Sequence, residues 1–211
     1  MPTRVSVAVD LHRELLTADD FLAWLTPGRH ADLIDGEVFM HSPVSIRHAD
    51  LLNFVDRLLG AYVDHHKLGH LYREVVAVRL ASRNVFLPDL AFVCAERASI
   101  IRENHIDGAP DLVVEVLSNR TADRDVGPKF AAYEEHGVRE YWVLDPETLA
   151  HRFYRREGDR LDGELLVEYA DGEDEIRSAV VSGFFVRREW LDPGRLPSIG
   201  NALASLERKE R

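Results

Sequence analysis

Seven residues limit what this chain can be more than any others. Asp111-Leu112-Val113-Val114-Glu115-Val116-Leu117 is an apolar run of strand length that carries one charge near its centre. Alternation puts Leu112, Val114 and Val116 on one face and Val113, Glu115 and Leu117 on the other. An ionised carboxylate in such a strand is costly unless it is paired or binds a cation. The plain reading is a Glu at the strand end, exposed or paired with an arginine. The sharper reading is a functional carboxylate.

The surroundings place that strand in a strand-helix-strand unit. After the polar stretch Asn119 to Val126, residues Lys129 to Glu135 form a helix ended by Gly137, and Glu140 to Asp145 a strand closed by Pro146. A crossover of this length joins parallel strands in a right-handed sense. Upstream, Thr17-Ala18-Asp19-Asp20 is a helix start leading to Phe21, Leu22, Trp24 and Leu25 and stopped by Pro27-Gly28, and Asp35-Gly36 is a hairpin turn before the strand Glu37 to Met40. Ile46 to about His66 carries the stripe of a helix with a buried face. Leu71 to Leu80 reads as one interior strand, and Val85 to Val93 as a second, interrupted at Pro88. His151 to Arg155, Leu165 to Tyr169 and Phe184 to Val186 suggest short antiparallel strands, and Leu196 to Leu206 a frayed terminal element.

A buried charge needs a core around it. With 211 residues, 45% hydrophobic and 30% charged, the chain is expected to fold as one globular domain, and disorder is excluded. One cysteine, Cys94, allows neither a disulfide framework nor a multi-cysteine zinc cluster, and points to the cytoplasm. No signal-peptide stretch opens the sequence and no apolar window suits a membrane span, so no membrane partner is expected. The formal charge of −11 opposes non-specific grip on nucleic acid over a broad face but leaves room for a local positive groove.

Two residues join Glu115. Asp89 follows Pro88, where a bend can aim a carboxylate into a cleft, although a turn Asp is the ordinary alternative. Lys129 opens the helix after the Glu115 strand. A solvated helix-start lysine is commoner, yet a cation there opposes the helix dipole and asks for another reason. Two carboxylates and a lysine suffice for cleaving phosphodiesters. The acids hold Mg2+ (or Mn2+), which acidifies water and offsets charge on the phosphate, and the amine orients water or neutralises phosphate.

The blocks Leu87-Pro88-Asp89-Leu90-Ala91-Phe92-Val93, Ala109-Pro110-Asp111 to Ser118, and Lys129 with Tyr133 and Gly137 to Pro146 resemble the Uma-two family of bacterial endonucleases, in the restriction-endonuclease-like PD-(D/E)XK superfamily. The likeness runs upstream through Leu33 to Glu37 and Ser42-Pro43 to His48, covering roughly residues 15 to 192. It implies an α/β fold, with a restriction-endonuclease-like central mixed sheet flanked by helices and an acidic metal site at its edge. Position by position, it implies Asp89 and Glu115 as metal-binding acids, the Val116 carbonyl as a backbone ligand, and Glu37 as an acid supplied from the N-terminal part. The superfamily's acid-x-lysine pattern is broken by Leu117, and Lys129 becomes the candidate lysine. Tyr133, one turn on, shares its face and serves packing or support.

His48 has two readings, a contact to phosphate or to Glu37, or a histidine satisfied at its helix start. His65, His66 and His70 resemble a metal site only superficially, and Cys94 is better explained as a buried hydrophobe than as a nucleophile. Arg47, Arg120 and Arg124 are candidates for backbone contacts, with solvated surface as the alternative. The resulting expectation is a magnesium-dependent endonuclease hydrolysing DNA. A non-catalytic module binding nucleic acid or protein, and a hydrolase of small phosphoesters, are the alternatives. A homodimer would let two sites address both strands.

Overall fold

The computed structural model describes residues 15–26, 28–73, 75–118, 127–158, 165–169 and 174–208. Thr17 caps helix α1 (Ala18–Trp24) by accepting the Asp20 amide. Strands β1 (Ala31–Ile34) and β2 (Glu37–Met40) form a hairpin whose turn residues, Asp35 and Gly36, both adopt positive φ (51° and 87°), as a tight two-residue turn requires. Ser45 caps helix α2 (Ile46–His66), and Lys67 closes it in the left-handed conformation.

Two expected strands are each divided between sheets. The alternating stretch from Leu71 becomes β3 (Gly69–Arg73) and β4 (Ala77–Ala81). Val75 between them takes φ 92° with its side chain exposed, so the chain turns out of one sheet and enters another. Thus β3 is an edge strand and not the interior strand expected. The Pro88 stretch likewise becomes β5 (Asn84–Phe86) and β6 (Leu90–Cys94), with Leu87 to Asp89 as the crossing. A 3-10 helix (Ala95–Ile100) and β7 (His105–Asp107) follow. Strand β8 (Leu112–Val116), helix α3 (Pro128–His136) and β9 (Glu140–Leu144) form the expected crossover, with β8 and β9 parallel.

Next come β10 (Arg152–Glu157), β11 (Leu165–Glu168), β12 (Glu175–Arg177), which the sequence did not suggest, and β13 (Phe185–Arg187). The terminal element is not frayed: α4 (Ile199–Arg208) is a regular helix that buries Ala202 and Leu206 against the core.

The fold is mixed α/β, but the expected central sheet is two sheets. One runs β2-β1-β5-β4-β7, the other β11-β10-β9-β8-β6-β3, with β12-β13 as a separate ribbon. Every residue of β8 and β9 is buried, because both faces of that sheet are covered. On one face Leu112, Val114, Val116, Trp142 and Leu144 pack with α2, α4 and the ribbon. On the other, Val113, Leu117, Tyr141 and Val143 meet α3 and, from the five-stranded sheet, Ile34 and Phe86. Glu115 belongs to this second layer. Among the described residues no helix is long and apolar enough to cross a membrane.

Candidate active site at the sheet crossing

The site is built where the chain passes from the five-stranded to the six-stranded sheet. Pro88 has no amide hydrogen and ends the pairing of β5, and the next residues enter β6. The antiparallel register of β6 on β8, with Leu90 opposite Val114, carries Asp89 to a position beside Glu115. There the Val116 amide donates to Asp89 Oδ2 at 2.6 Å. The same crossing is fixed from the other sheet, where the Leu87 amide donates to Asp32 Oδ1 at 2.8 Å.

Lys129 explains its own unusual place at a helix start. The residue is 2% exposed, and its Nζ lies 3.0 Å from Glu115 Oε1 and 3.1 Å from Asp32 Oδ2. The two acids offset the unfavourable helix dipole and the loss of water. Tyr133, one turn further, donates its hydroxyl to Glu115 Oε1 at 3.0 Å. Asp32 also lies 3.0 Å from His41 Nε2, so His41, Asp32, Lys129, Glu115 and Tyr133 form one polar chain through an apolar layer. His48, positioned by the Ser45 cap, brings Nε2 to 3.6 Å from Asp89 Oδ1 and Nδ1 to 3.5 Å from the Leu117 carbonyl.

The charges have stated physical causes. Burial works to raise the Asp32 pKa, but the Lys129 ammonium, His41 and the Leu87 amide together bring it down to about 2. Burial, with the neighbouring Glu115 charge, pushes the Tyr133 hydroxyl well above the usual tyrosine value, so it remains a hydrogen-bond donor.

A family model described as "Putative restriction endonuclease", Uma2, matches residues 18–189. The chain belongs to the Uma2 family. A solved structure titled a putative nuclease belonging to DUF820, from Anabaena variabilis ATCC 29413, shares its fold: the TM-score is 0.66 at 17% identity, covering 83% of this chain and 97% of that one. No curated protein matches.

In this Uma2 chain Asp89, Glu115 and Lys129 converge from three separate segments, with Tyr133 and His48 beside them. Glu37 departs from the expectation. It is exposed at the start of β2, opposite Ile34, and the N-terminal acid that meets Lys129 is Asp32. The reason is register, because Asp32 sits opposite Phe39, two residues deeper along the same face of the hairpin. Asp32 and His41 are the residues the sequence reading missed. A signal was present: Asp32 is a lone acid in the buried strand Ala31-Asp32-Leu33-Ile34, the same anomaly that drew attention to Glu115.

Among the described residues no group of three or more His, Cys, Asp or Glu side chains gathers as a metal cage. The hard carboxylate oxygens of Asp89 and Glu115 do fit magnesium, which needs only one or two protein carboxylates and leaves other positions to water and phosphate. The Val116 amide meets Asp89, and strand geometry turns the carbonyl of the same residue toward the same neighbour.

The other candidates take different places. Arg47 binds the Pro146 carbonyl at 2.7 and 3.0 Å and pairs with Glu147, so it serves the surface next to α2. Arg120 and Arg124 lie outside the described residues. His66 packs on Tyr62 with ring centres 4.2 Å apart. Cys94 is partly buried against the core, and burial, with Asp111 nearby, raises its thiol pKa, which disfavours a nucleophile.

Proposed function

We propose that this Uma2 protein is a magnesium-dependent endonuclease that hydrolyses DNA phosphodiester bonds in a single restriction-endonuclease-like domain. The observation that carries the reading is the Lys129 amine 3.0 Å from Glu115, because it supplies from α3 the lysine that Leu117 displaces from the strand. Asp89, Glu115 and the Val116 carbonyl would hold the ion. When bound, magnesium supplies an acidified water and offsets charge on the phosphate.

The chain's own groups do the rest. Glu115 is oriented by Tyr133, which donates to it and, with its raised pKa, keeps its proton. Lys129 stands beside the acids as a point charge for the phosphate or the attacking water. Asp32 holds that amine from behind. His48 braces Asp89 from α2. Apolar packing around Val113, Phe86 and Tyr141 lowers the local dielectric and strengthens each of these interactions.

Cleavage of plasmid and single-stranded DNA, with magnesium or manganese and with chelator, tests the reading. Cleavage is expected only with metal, and Glu115→Gln and Lys129→Met are expected to lose it. Equal cleavage by all three proteins rejects the site. One observation favours a non-catalytic binding module instead: Lys129 already neutralises two acids, as a purely structural pair would. Calorimetric titration with magnesium separates the two, since a binding module shows no carboxylate-dependent heat.

A further inference from the structure

We infer that the hollow behind the sheet crossing is a nucleotide pocket, and that the substrate is a strand with at least one unpaired base. The inference rests on the nuclease reading and names the form of DNA it would take.

Two concavities meet at Gly28 and His30. The smaller, about 330 Å3, is lined by Ser42 and by His41, the end member of the polar chain that touches Asp32. The larger, about 480 Å3, lies beneath the end of α1. Leu87 stands at the sheet end that hollow and site share: it lines the hollow on the α1 face, its amide holds Asp32 on the opposite face, and Asp89 follows two residues on, so a strand would reach both by passing round that end.

The lining suits a nucleotide. Leu22, Leu25 and Val75 offer apolar contact for the faces of a base, while Thr26 and Asn104 carry donors and acceptors for its edge. Arg29 is exposed at the rim, held over the Trp24 ring at 4.7 Å and bonded to the Trp24 carbonyl, so its guanidinium is positioned for phosphate. Among the described residues no carboxylate lines either hollow, although the chain carries a net charge of −11. Arg29 gives a phosphate a local cation on a chain that is otherwise net negative. The larger volume lies within the range of small-ligand sites and is too narrow for a duplex, so a base must leave its stack to enter.

The test is fluorescence anisotropy of a labelled 12-nucleotide single strand and of its duplex, in chelator so that nothing is cut. The single strand is expected to bind at least about tenfold more tightly than the duplex, given that unpairing costs a few kcal/mol. Arg29→Ala is expected to weaken binding and to reduce the slope of log affinity against log salt by about one. Thr26→Trp, at an exposed position where the indole can fill the pocket, is expected to abolish the preference for the single strand. Arg152→Ala, on the exposed face of β10, is the unchanged control. Preference for the duplex, wild-type binding by both pocket variants, or no binding of either DNA by the unaltered protein overturns the inference. Failure of the nuclease reading is seen separately: Glu115→Gln would then cut DNA as the unaltered protein does, whatever the binding data show.

Discussion

Two glutamates are buried on adjacent parallel strands, on opposite faces and toward opposite ends of the six-stranded sheet. Glu115 on β8 pairs with a cation, Lys129, and with the Tyr133 hydroxyl. Glu140 on β9, in register with Leu112, is surrounded by neutral donors instead. It accepts from Trp142 Nε1 (2.6 Å), the Tyr169 hydroxyl (2.5 Å), Ser178 Oγ (2.7 Å) and the amides of Ala179 and Val180 (2.8 and 3.1 Å). Burial raises the Glu140 pKa despite those bonds, whereas Asp32, which shares Lys129 with Glu115, is held at about 2. Both arrangements satisfy a buried acid. Only the first sets an amine between two acids, the arrangement on which the proposed chemistry rests, and the second ties β9 to the segment before β13.

The strongest way to break this contrast is activity. Glu115→Gln is expected to lower the DNA cleavage rate by about 10^3-fold, the scale of losing a group that stabilises transition-state charge. Glu140→Gln should leave the rate unchanged in the same assay. Comparable losses in both would show that the sheet, and not the cation-paired acid, sets the rate.

Stability sharpens it next. Lys129→Met leaves two buried carboxylates facing each other and should cost about 4 kcal/mol in urea unfolding. Magnesium should return more of that loss than it adds to the unaltered protein, since it binds the native acids. Glu140→Ala strands several donors at once and should cost about 3 kcal/mol, with no recovery on adding magnesium.

The smallest effect is in pH. The folded Asp32 pKa is depressed from 3.8 to about 2, so its contribution is present above pH 4 and is lost as pH falls toward 2. The Asp32→Asn variant should therefore show a flatter acid limb, by about 2 kcal/mol across that window. Glu140 has the opposite sign. Its folded pKa is raised, so its contribution is present below its ordinary value of 4.5 and declines as pH rises through the folded pKa. Glu140→Gln should then gain on the unaltered protein as pH is raised above 4.5.

Local pattern disclosed α1, α2, the β8-α3-β9 crossover and the acids at 89 and 115, because each is encoded by nearby periodicity, caps or a lone charge. Alternation does not report which sheet a strand joins. Leu71 to Leu80 keeps period two on both sides of Val75, and only the positive φ there reveals the change of sheet. The same blindness misplaced the N-terminal acid. Choosing Asp32 over Glu37 needs the depth of the hairpin against α3, a long-range relation that spacing does not carry. Glu140 escaped notice because it stands at a strand start, where an acid looks exposed, and its partners lie up to 40 residues away.

The three-residue link from Leu87 to Asp89 has one more consequence. Its two ends are anchored in different sheets, and the acids it touches are completed only by a lysine encoded much later. A half-made or partly unravelled chain therefore lacks the assembled centre, and the proposed chemistry has to wait until α3 has docked its lysine against acids carried by both sheets.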